Sequence, residues 1–436
     1  MDKVMNEFAF QEIHPVFVYS AAAAAEEPEG GPHLVPLFII GFVAGIALRK
    51  HSQANLLSTP TPASPYCTFL LSSTKIIGKM SSTLYPTRRL GANGPTVSAI
   101  GLGTMGIGAF YGKTDEAAAY KALTYAADRG VTFWDCADIY GSTELTLGKW
   151  FAETGRRSEI FLATKFGSRD PEGKYNGGNQ PVSTPSYIKY ALERSLKRLG
   201  TDYIDLYYQH RVDPKVPIEV VLETLRAPIE TGVIKWIGLS ECSAETLRRA
   251  KAVKGVGERV VAAQMEFSPF SLDIKKNGFA QAAKELGVAV VVYSPLGRGL
   301  VSGRNFIISR YKSRADFEKD DFRLNLPRFS EENFPKNFKV ADKIKAIADK
   351  YNATPSQVTL AWILAEDENY IPIPGCRSSE RVEENAGGAE LQLSREDVAA
   401  INALSEAADV QGDRYATAMM ALLKGDCIPP EEWKGE

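Results

Sequence analysis

Four side chains able to move a proton end, or closely follow, short apolar runs in this chain. Asp135 closes Phe133-Trp134-Asp135, Lys165 closes Thr164-Lys165, and His210 closes Tyr208-Gln209-His210. Tyr140 stands shortly after the first of them, in Asp135-Cys136-Ala137-Asp138-Ile139-Tyr140-Gly141. A tyrosine near its free pKa of about 10 is a poor acid at neutral pH, but an adjacent ammonium favours the phenolate and lowers that pKa. Around one cavity, Lys165 would supply the ammonium and Asp135 would hold Lys165 by an ion pair. His210 would hydrogen-bond the oxygen of a carbonyl substrate and orient it. Each residue also has a plainer reading. Asp135 or Asp138 can cap a helix, Lys165 can merely neutralise Asp135, His210 can be a satisfied half-buried histidine, and Tyr140 a packing aromatic. Their joint position at successive strand ends favours the chemical reading.

Composition narrows the chemistry further. The chain has 436 residues, with Lys+Arg 51 against Asp+Glu 53 and a formal net charge of -2. That balance argues against a nucleic-acid partner, which needs a basic surface to displace counterions, and points to small molecules. The cysteines, Cys67, Cys136, Cys242, Cys376 and Cys427, are widely scattered with no CxxC pair, so they read as reduced thiols of a reducing compartment, the cytoplasm. The histidines are His14, His33, His51 and His210. A multi-histidine metal centre is therefore excluded from the later chain, and no metal is expected.

The elements that must position these residues form a repeat. Short, almost continuously apolar runs at 97–102, 131–135, 160–165, 204–210, 236–239, 260–264, 288–293 and 370–373 look buried on both faces, as parallel strands under helices are. Between them lie segments of helical period, at 115–128, 143–152, 185–199, 218–230, 244–253, 278–286, 340–351 and 356–364. The third carries Thr184 as N-cap, Pro185 in the first turn, one face of Ile188, Leu192, Leu196 and Leu199, and Gly200 as stop. Eight such units predict a single (β/α)8 barrel of the TIM type, with long loops on the face at the strands' carboxyl ends, where active sites of this architecture are built. The glycine-rich segment 168–182 and the charged and aromatic segment 302–338 are candidates to cover that face, the tail after Ser405 is expected to pack on the outside or over it, and Phe110, Tyr111, Trp134 and Phe166 are candidate substrate contacts. Gly101-Leu102-Gly103-Thr104-Met105-Gly106 satisfies GxGxxG, but a dinucleotide fold needs that motif to open directly into a helix. Here Gly108, Tyr111 and Gly112 intervene.

The first eighty residues differ. Residues 1–79 mix an alanine run, an acidic patch, an apolar stretch at 34–48 and a Ser/Thr/Pro-rich tract with no sustained period. The reading is a disordered, low-order extension, or an upstream start with Met80 beginning the working protein, ahead of a barrel domain over 80–436. The alternative is a membrane anchor. Segment 34–48 contains Gly41-x-x-x-Gly45 and precedes Arg49, Lys50 and His51, although it is shorter than the roughly 20 residues that span a bilayer. Membrane contact is expected only there.

In order along the chain, several motifs resemble the aldo-keto reductase family. They are Gly101-Leu102-Gly103-Thr104-Met105, the Asp135 to Gly141 run, Ala163-Thr164-Lys165, Asp202-Tyr203-Ile204-Asp205-Leu206 with His210, Gly238-Leu239-Ser240 and Gln264. Tyr293-Ser294-Pro295-Leu296, then Ile371-Pro372-Ile373-Pro374-Gly375, then Arg381-x-x-Glu384-Asn385 complete the set. The match spans roughly 84–404 and looks most like the fungal and plant branch with perakine-reductase-like and auxin-induced-protein-like members. The resemblance implies an NADPH-dependent oxidoreductase that reduces an aldehyde or ketone to an alcohol, without metal, as an alcohol dehydrogenase [NADP+] does. It makes Tyr140 the acid, supported by Asp135, Lys165 and His210. It places Ser240 and Gln264 on the nicotinamide carboxamide, Tyr293 against the nicotinamide ring, and Ser294, Leu296, Gly297 and Arg298 around the pyrophosphate. Gly375, Arg377, Ser378 and Arg381 would surround the 2'-phosphate, with Glu384 and Asn385 on the adenine side. The two arginines suit NADPH because guanidinium matches phosphate geometry.

Two positions depart from the family pattern. Glu241 stands where many members have Asn, and a carboxylate accepts but does not donate. Cys376 replaces a more usual Thr or Ser. Other classes of function remain open at this level: a cofactor-sensing binding protein with little turnover, akin to potassium-channel β subunits, and a Schiff-base lyase using Lys165. An ion pair to Asp135 would keep that amine protonated and non-nucleophilic.

Overall fold

The computed structural model describes residues 84–108, 115–175, 178–301, 314–319, 321–423 and 425–436. The extension 1–79, its apolar segment 34–48, and the candidate contacts Phe110 and Tyr111 lie outside the described residues. No helix among the described residues is long and apolar enough to cross a membrane.

The chain enters through an antiparallel pair, β1 (Thr87–Arg89) and β2 (Thr96–Ser98). Eight parallel strands follow: β3 (Leu102–Gly103), β4 (Phe133–Asp135), β5 (Phe161–Phe166), β6 (Ile204–Gln209), β7 (Ile234–Ser240), β8 (Val260–Glu266), β9 (Ala289–Tyr293) and β10 (Tyr370–Pro372). They are hydrogen-bonded in chain order. The ring closes where Gly101 and Gly103 donate to the carbonyls of Pro372 and Pro374 (2.9 and 3.0 Å) and Gly103 bridges Gly375 in parallel. A Cβ on Gly103 would sit 2.8 Å from the Ile373 carbonyl oxygen, so closure requires glycine there. The helices of seven residues or more are α1 (Glu116–Arg129), α2 (Thr143–Thr154), α3 (Pro185–Leu199), α4 (Ile218–Glu230), α5 (Ala244–Ala252), α6 (Phe279–Glu285), α7 (Phe334–Lys350), α8 (Pro355–Glu366), α9 (Ser379–Gly387) and α10 (Arg395–Glu406). This is the (β/α)8 barrel expected from the repeat.

Two details differ from the sequence reading. The apolar run 97–102 is split: Val97 belongs to β2 of the entry hairpin, and only Leu102 and Gly103 join the barrel. A buried hairpin strand and a buried barrel strand are equally apolar, so hydropathy does not separate them. Thr184 precedes α3 with extended backbone but makes no side-chain cap bond, whereas Gly200 ends the helix at φ 59° as expected.

Alternation along each strand sorts residues between two compartments. Phe133, Ala163, Leu206, Tyr208, Val291 and Ile371 share the core inside the barrel. Trp134, Leu162, Tyr207, Ile237 and Val290 pack outward against helices. Trp134 and Phe166 therefore belong to the core, not to a substrate cavity. Trp134 lies 4.9 Å from the ring of Trp150 on α2, and Phe166 stacks on Tyr207 at 4.8 Å.

Candidate active site

Because Phe133 points inward, Asp135 two residues later points inward too, at the carboxyl end of β4. The same parity brings in Lys165 on β5, Ser240 on β7, Gln264 and Glu266 on β8, and Tyr293 on β9. Lys165 and Asp135 are both buried and pair at 2.5 Å. The ammonium also donates to the Cys136 carbonyl at 2.6 Å, and Gln264 donates its amide to the other Asp135 oxygen at 2.8 Å. The Lys165 nitrogen lies 5.0 Å from the centre of the Tyr140 ring, and that ring meets the His210 ring edge-on at 5.9 Å. The four residues singled out for proton transfer thus form one buried cluster at the barrel mouth. Its floor is Tyr208, whose ring centre is 5.9 Å from the Lys165 nitrogen and lies against Gly238, where a Cβ would come within 2.2 Å of the ring.

The electrostatics of the cluster differ from the sequence expectation at Tyr140. Burial holds the phenol well above its ordinary pKa, reinforced by the nearby Asp135 carboxylate and Cys136 and opposed by the Arg211 guanidinium. The expected lowering by Lys165 does not prevail, because desolvating a phenolate outweighs it. Tyr140 is a neutral, proton-bearing phenol. Burial also pushes the Asp135 carboxyl upward, against the pull of Lys165 and Gln264. His210 is driven well below the usual histidine value by burial, then by the Arg211 and Lys165 cations, so it is a neutral imidazole, and its buried Nδ1 has no hydrogen-bond partner among the described residues.

The residues expected to hold a cofactor fall into three local groups. Ser240, Gln264 and Tyr293 end adjacent strands on the interior face. Ser294, Leu296, Gly297 and Arg298 follow β9 in a tight turn, with Ser294, Gly297 and Arg298 at φ 49°, 57° and 56°. Gly375, Arg377, Ser378, Arg381, Glu384 and Asn385 run from β10 into α9, where Ser378 caps the helix by accepting from the Arg381 amide at 3.4 Å. Arg377 is exposed, and Arg381 pairs with Glu384 at 3.2 Å. Cys376 is buried, its thiol pushed up to about 12 by that burial, and it accepts from the Asn385 amide at 3.0 Å. The Asn385 side-chain oxygen, Oδ1, is buried without a hydrogen-bond partner among the described residues.

Glu266, Arg414, Tyr415 and Arg211 also stand at this mouth and were not anticipated from sequence. The Arg298 guanidinium is turned to the Glu266 carboxylate (2.8 Å) and the Arg414 carbonyl (2.5 Å), and covers the Tyr415 ring at 4.2 Å. Glu241, held at φ 51°, accepts from the Tyr293 hydroxyl at 2.8 Å and pairs with Arg414 at 3.3 Å. The tail after Ser405 therefore lies over the ends of β7 and β9, with Tyr415 3.4 Å from the Tyr293 hydroxyl. Glu266 was legible in principle, two residues past Gln264 in an alternating strand. Arg414 and Tyr415, far along an irregular tail, carried no pattern that would place them. Arg211 follows His210 directly and is tied by Nη1 to the His210 carbonyl (2.7 Å) and the Ser240 hydroxyl (3.2 Å).

Comparison with known proteins fits this geometry. The chain is 46% identical over 352 residues to "Aldo-keto reductase str7" of Strobilurus tenacellus, covering 79% of this chain and 99% of that protein. It is 47% identical over 336 residues to "Aldo-keto reductase yakc [NADP(+)]" of Schizosaccharomyces pombe, covering 76% and 94%. A crystal structure of the thermostable aldo-keto reductase Tm1743 with the inhibitor epalrestat is similar at a TM-score of 0.58 and 27% identity, over 73% of this chain and 99% of that one. With the aldo/keto reductase family model matching residues 99–406 as well, the chain belongs to the aldo/keto reductase family.

Proposed function

We propose that this protein reduces an aldehyde or ketone to an alcohol, with NADPH as hydride donor and Tyr140 as the acid. The observation that carries the reading is the buried Lys165–Asp135 pair, with the Lys165 ammonium 5.0 Å from the Tyr140 ring. The cofactor, when bound, supplies the hydride that adds to the carbonyl carbon. The chain's own residues do the rest. The neutral Tyr140 phenol donates a hydrogen bond to the carbonyl oxygen and then its proton as negative charge develops there. Lys165 stabilises the phenolate left behind, which lowers the barrier at the moment of transfer without requiring an ionised tyrosine beforehand. Asp135 holds the Lys165 ammonium in place, and Gln264 holds the second Asp135 oxygen. Neutral His210 orients the substrate oxygen without competing as an acid.

The residues present fit a dinucleotide. Ser240, Gln264 and Tyr293 converge on the interior face beside the tetrad. The buried, unpartnered side-chain oxygen of Asn385, in the last turn of α9, leaves an acceptor for an adenine amine. Arg377 and Arg381 would hold a 2'-phosphate, which favours NADPH; the NADP(+) in the fission-yeast relative's name supports the same choice. Arg298 would contribute backbone and not guanidinium while its side chain stays on Glu266. Glu241 would act by fixing Tyr293, not by contacting the carboxamide.

An NADPH-coupled assay over a panel of aldehydes and ketones tests the reading. Loss of nicotinamide absorbance that depends on the carbonyl compound is expected. Tight NADPH binding with no turnover on any of them would instead favour a cofactor-sensing role.

A further inference from the structure

We infer that Arg211 forms an anion subsite at the barrel mouth, beside Tyr140 and His210, that selects carbonyl substrates also bearing a carboxylate. This rests on the reductase reading and names the substrate class it would serve.

Four arginines gather where β6, β7, β8 and β9 end, and three of them are matched: Arg298 and Arg328 with Glu266 at 2.8 and 3.4 Å, and Arg414 with Glu241 at 3.3 Å. Arg211 forms no ion pair among the described residues; its bonds are to a neutral carbonyl and a neutral hydroxyl. Among the described residues of this cluster, four guanidinium groups share two carboxylates, while Lys165 is balanced by Asp135 and Arg323, which donates to the Arg298 carbonyl, by Asp321.

Arg211 is fastened by Nη1 to the residue that precedes it, His210, and to Ser240 across the β6–β7 boundary, so its place relative to the tetrad is fixed by two strands and not by a loop. It is only partly buried, leaving the remaining donors of its fork available. Its electrostatic neighbours are Tyr293, Tyr415, Glu241 and Tyr140, which puts it among the acid and the cofactor-side tyrosines. Glu241 does not neutralise it, being committed to Tyr293 and Arg414. A guanidinium with free donors in a partly desolvated mouth is suited to a planar carboxylate. A substrate that places its carbonyl oxygen at Tyr140 and His210 would set an anionic group here.

The test compares 4-carboxybenzaldehyde with its neutral methyl ester, methyl 4-formylbenzoate, in wild type, Arg211→Lys and Arg211→Gln, with NADPH affinity measured for each. The preference for the acid, as a ratio of kcat/KM values, should fall by roughly 10- to 100-fold in Arg211→Gln, the scale of a lost charge-assisted hydrogen bond, and by less in Arg211→Lys. Benzoate should inhibit wild type more strongly than benzamide, and less so as salt is raised, a readout that needs no variant to fold. An unchanged ratio, equal inhibition by benzoate and benzamide, or a loss confined to NADPH affinity would overturn the proposal. If wild type reduces neither aldehyde, the reductase reading is decided by the wider carbonyl panel and the subsite by binding. Fluorescence titration of the NADP+ complex with benzoate and benzamide then decides the subsite, binding of benzoate alone supporting it and equal or absent binding refuting it.

Discussion

At the scale of single residues, the site depends on what burial does to charge. Lys165 and Asp135 lie in the barrel with almost no exposure, and each is tolerable only because the other is present. Lys165→Met keeps the volume but leaves a buried carboxylate with only Gln264 for company. We expect this to cost about 3–5 kcal/mol of stability, read by urea unfolding, and a change below about 1 kcal/mol would show that the pair is not structurally coupled. The identities of Asp135, Tyr140, Lys165 and His210 were legible in the sequence because each ends or closely follows an apolar run. The protonation of Tyr140 was not. A sequence shows that an ammonium is near a phenol, but whether burial or that ammonium prevails depends on how much water the folded mouth excludes.

At the scale of elements, the loop between β4 and α2 carries Tyr140 and is pinned from behind. Asp138, buried, pairs with Arg194 on α3 at 2.7 Å and donates its backbone amide to the Lys165 carbonyl at 3.1 Å. Burial and the neighbouring Glu144 raise its carboxyl to about 7, against the pull of Arg194. An acid whose pKa is higher folded than unfolded binds an extra proton in the folded chain. Its contribution therefore favours the native state at low pH and is lost as pH rises through about 7. Wild type should lose about 1 kcal/mol between pH 6 and 8 relative to Asp138→Asn, and parallel thermal-unfolding profiles of the two would contradict this. The strand–helix repeat was legible because parallel strands covered on both faces are apolar throughout. The same continuity hid which face each side chain takes, so Trp134 and Phe166 were offered as substrate contacts although both pack against helices. It also merged β2 with β3, since nothing in the run 97–102 marks the bend between them.

At the scale of the whole molecule, the barrel, its closing glycine contacts and the tail make one mouth from segments far apart in sequence. Arg414 and Tyr415 reach Glu241, Tyr293 and Arg298, a convergence with no local signature, which is why tail and cofactor-side residues were linked only by structure. Ligand that binds the native barrel alone must stabilise all of it. NADPH at a hundred times its Kd should contribute about 2.7 kcal/mol, a rise in Tm of roughly 3–4 °C for a barrel of this size, and NADH at the same concentration should contribute less. Equal shifts with the two nucleotides would show that Arg377 and Arg381 do not read the 2'-phosphate.

The central claim is that Tyr140 gives the proton that turns a carbonyl into an alcohol, and Tyr140→Phe tests it most directly, because it removes one oxygen from a packed ring. In single-turnover reduction of an aldehyde by the preformed NADPH complex, the variant should bind NADPH as wild type does and transfer hydride about 10²- to 10⁴-fold more slowly. Reduction at the wild-type rate would show that the proton comes from elsewhere.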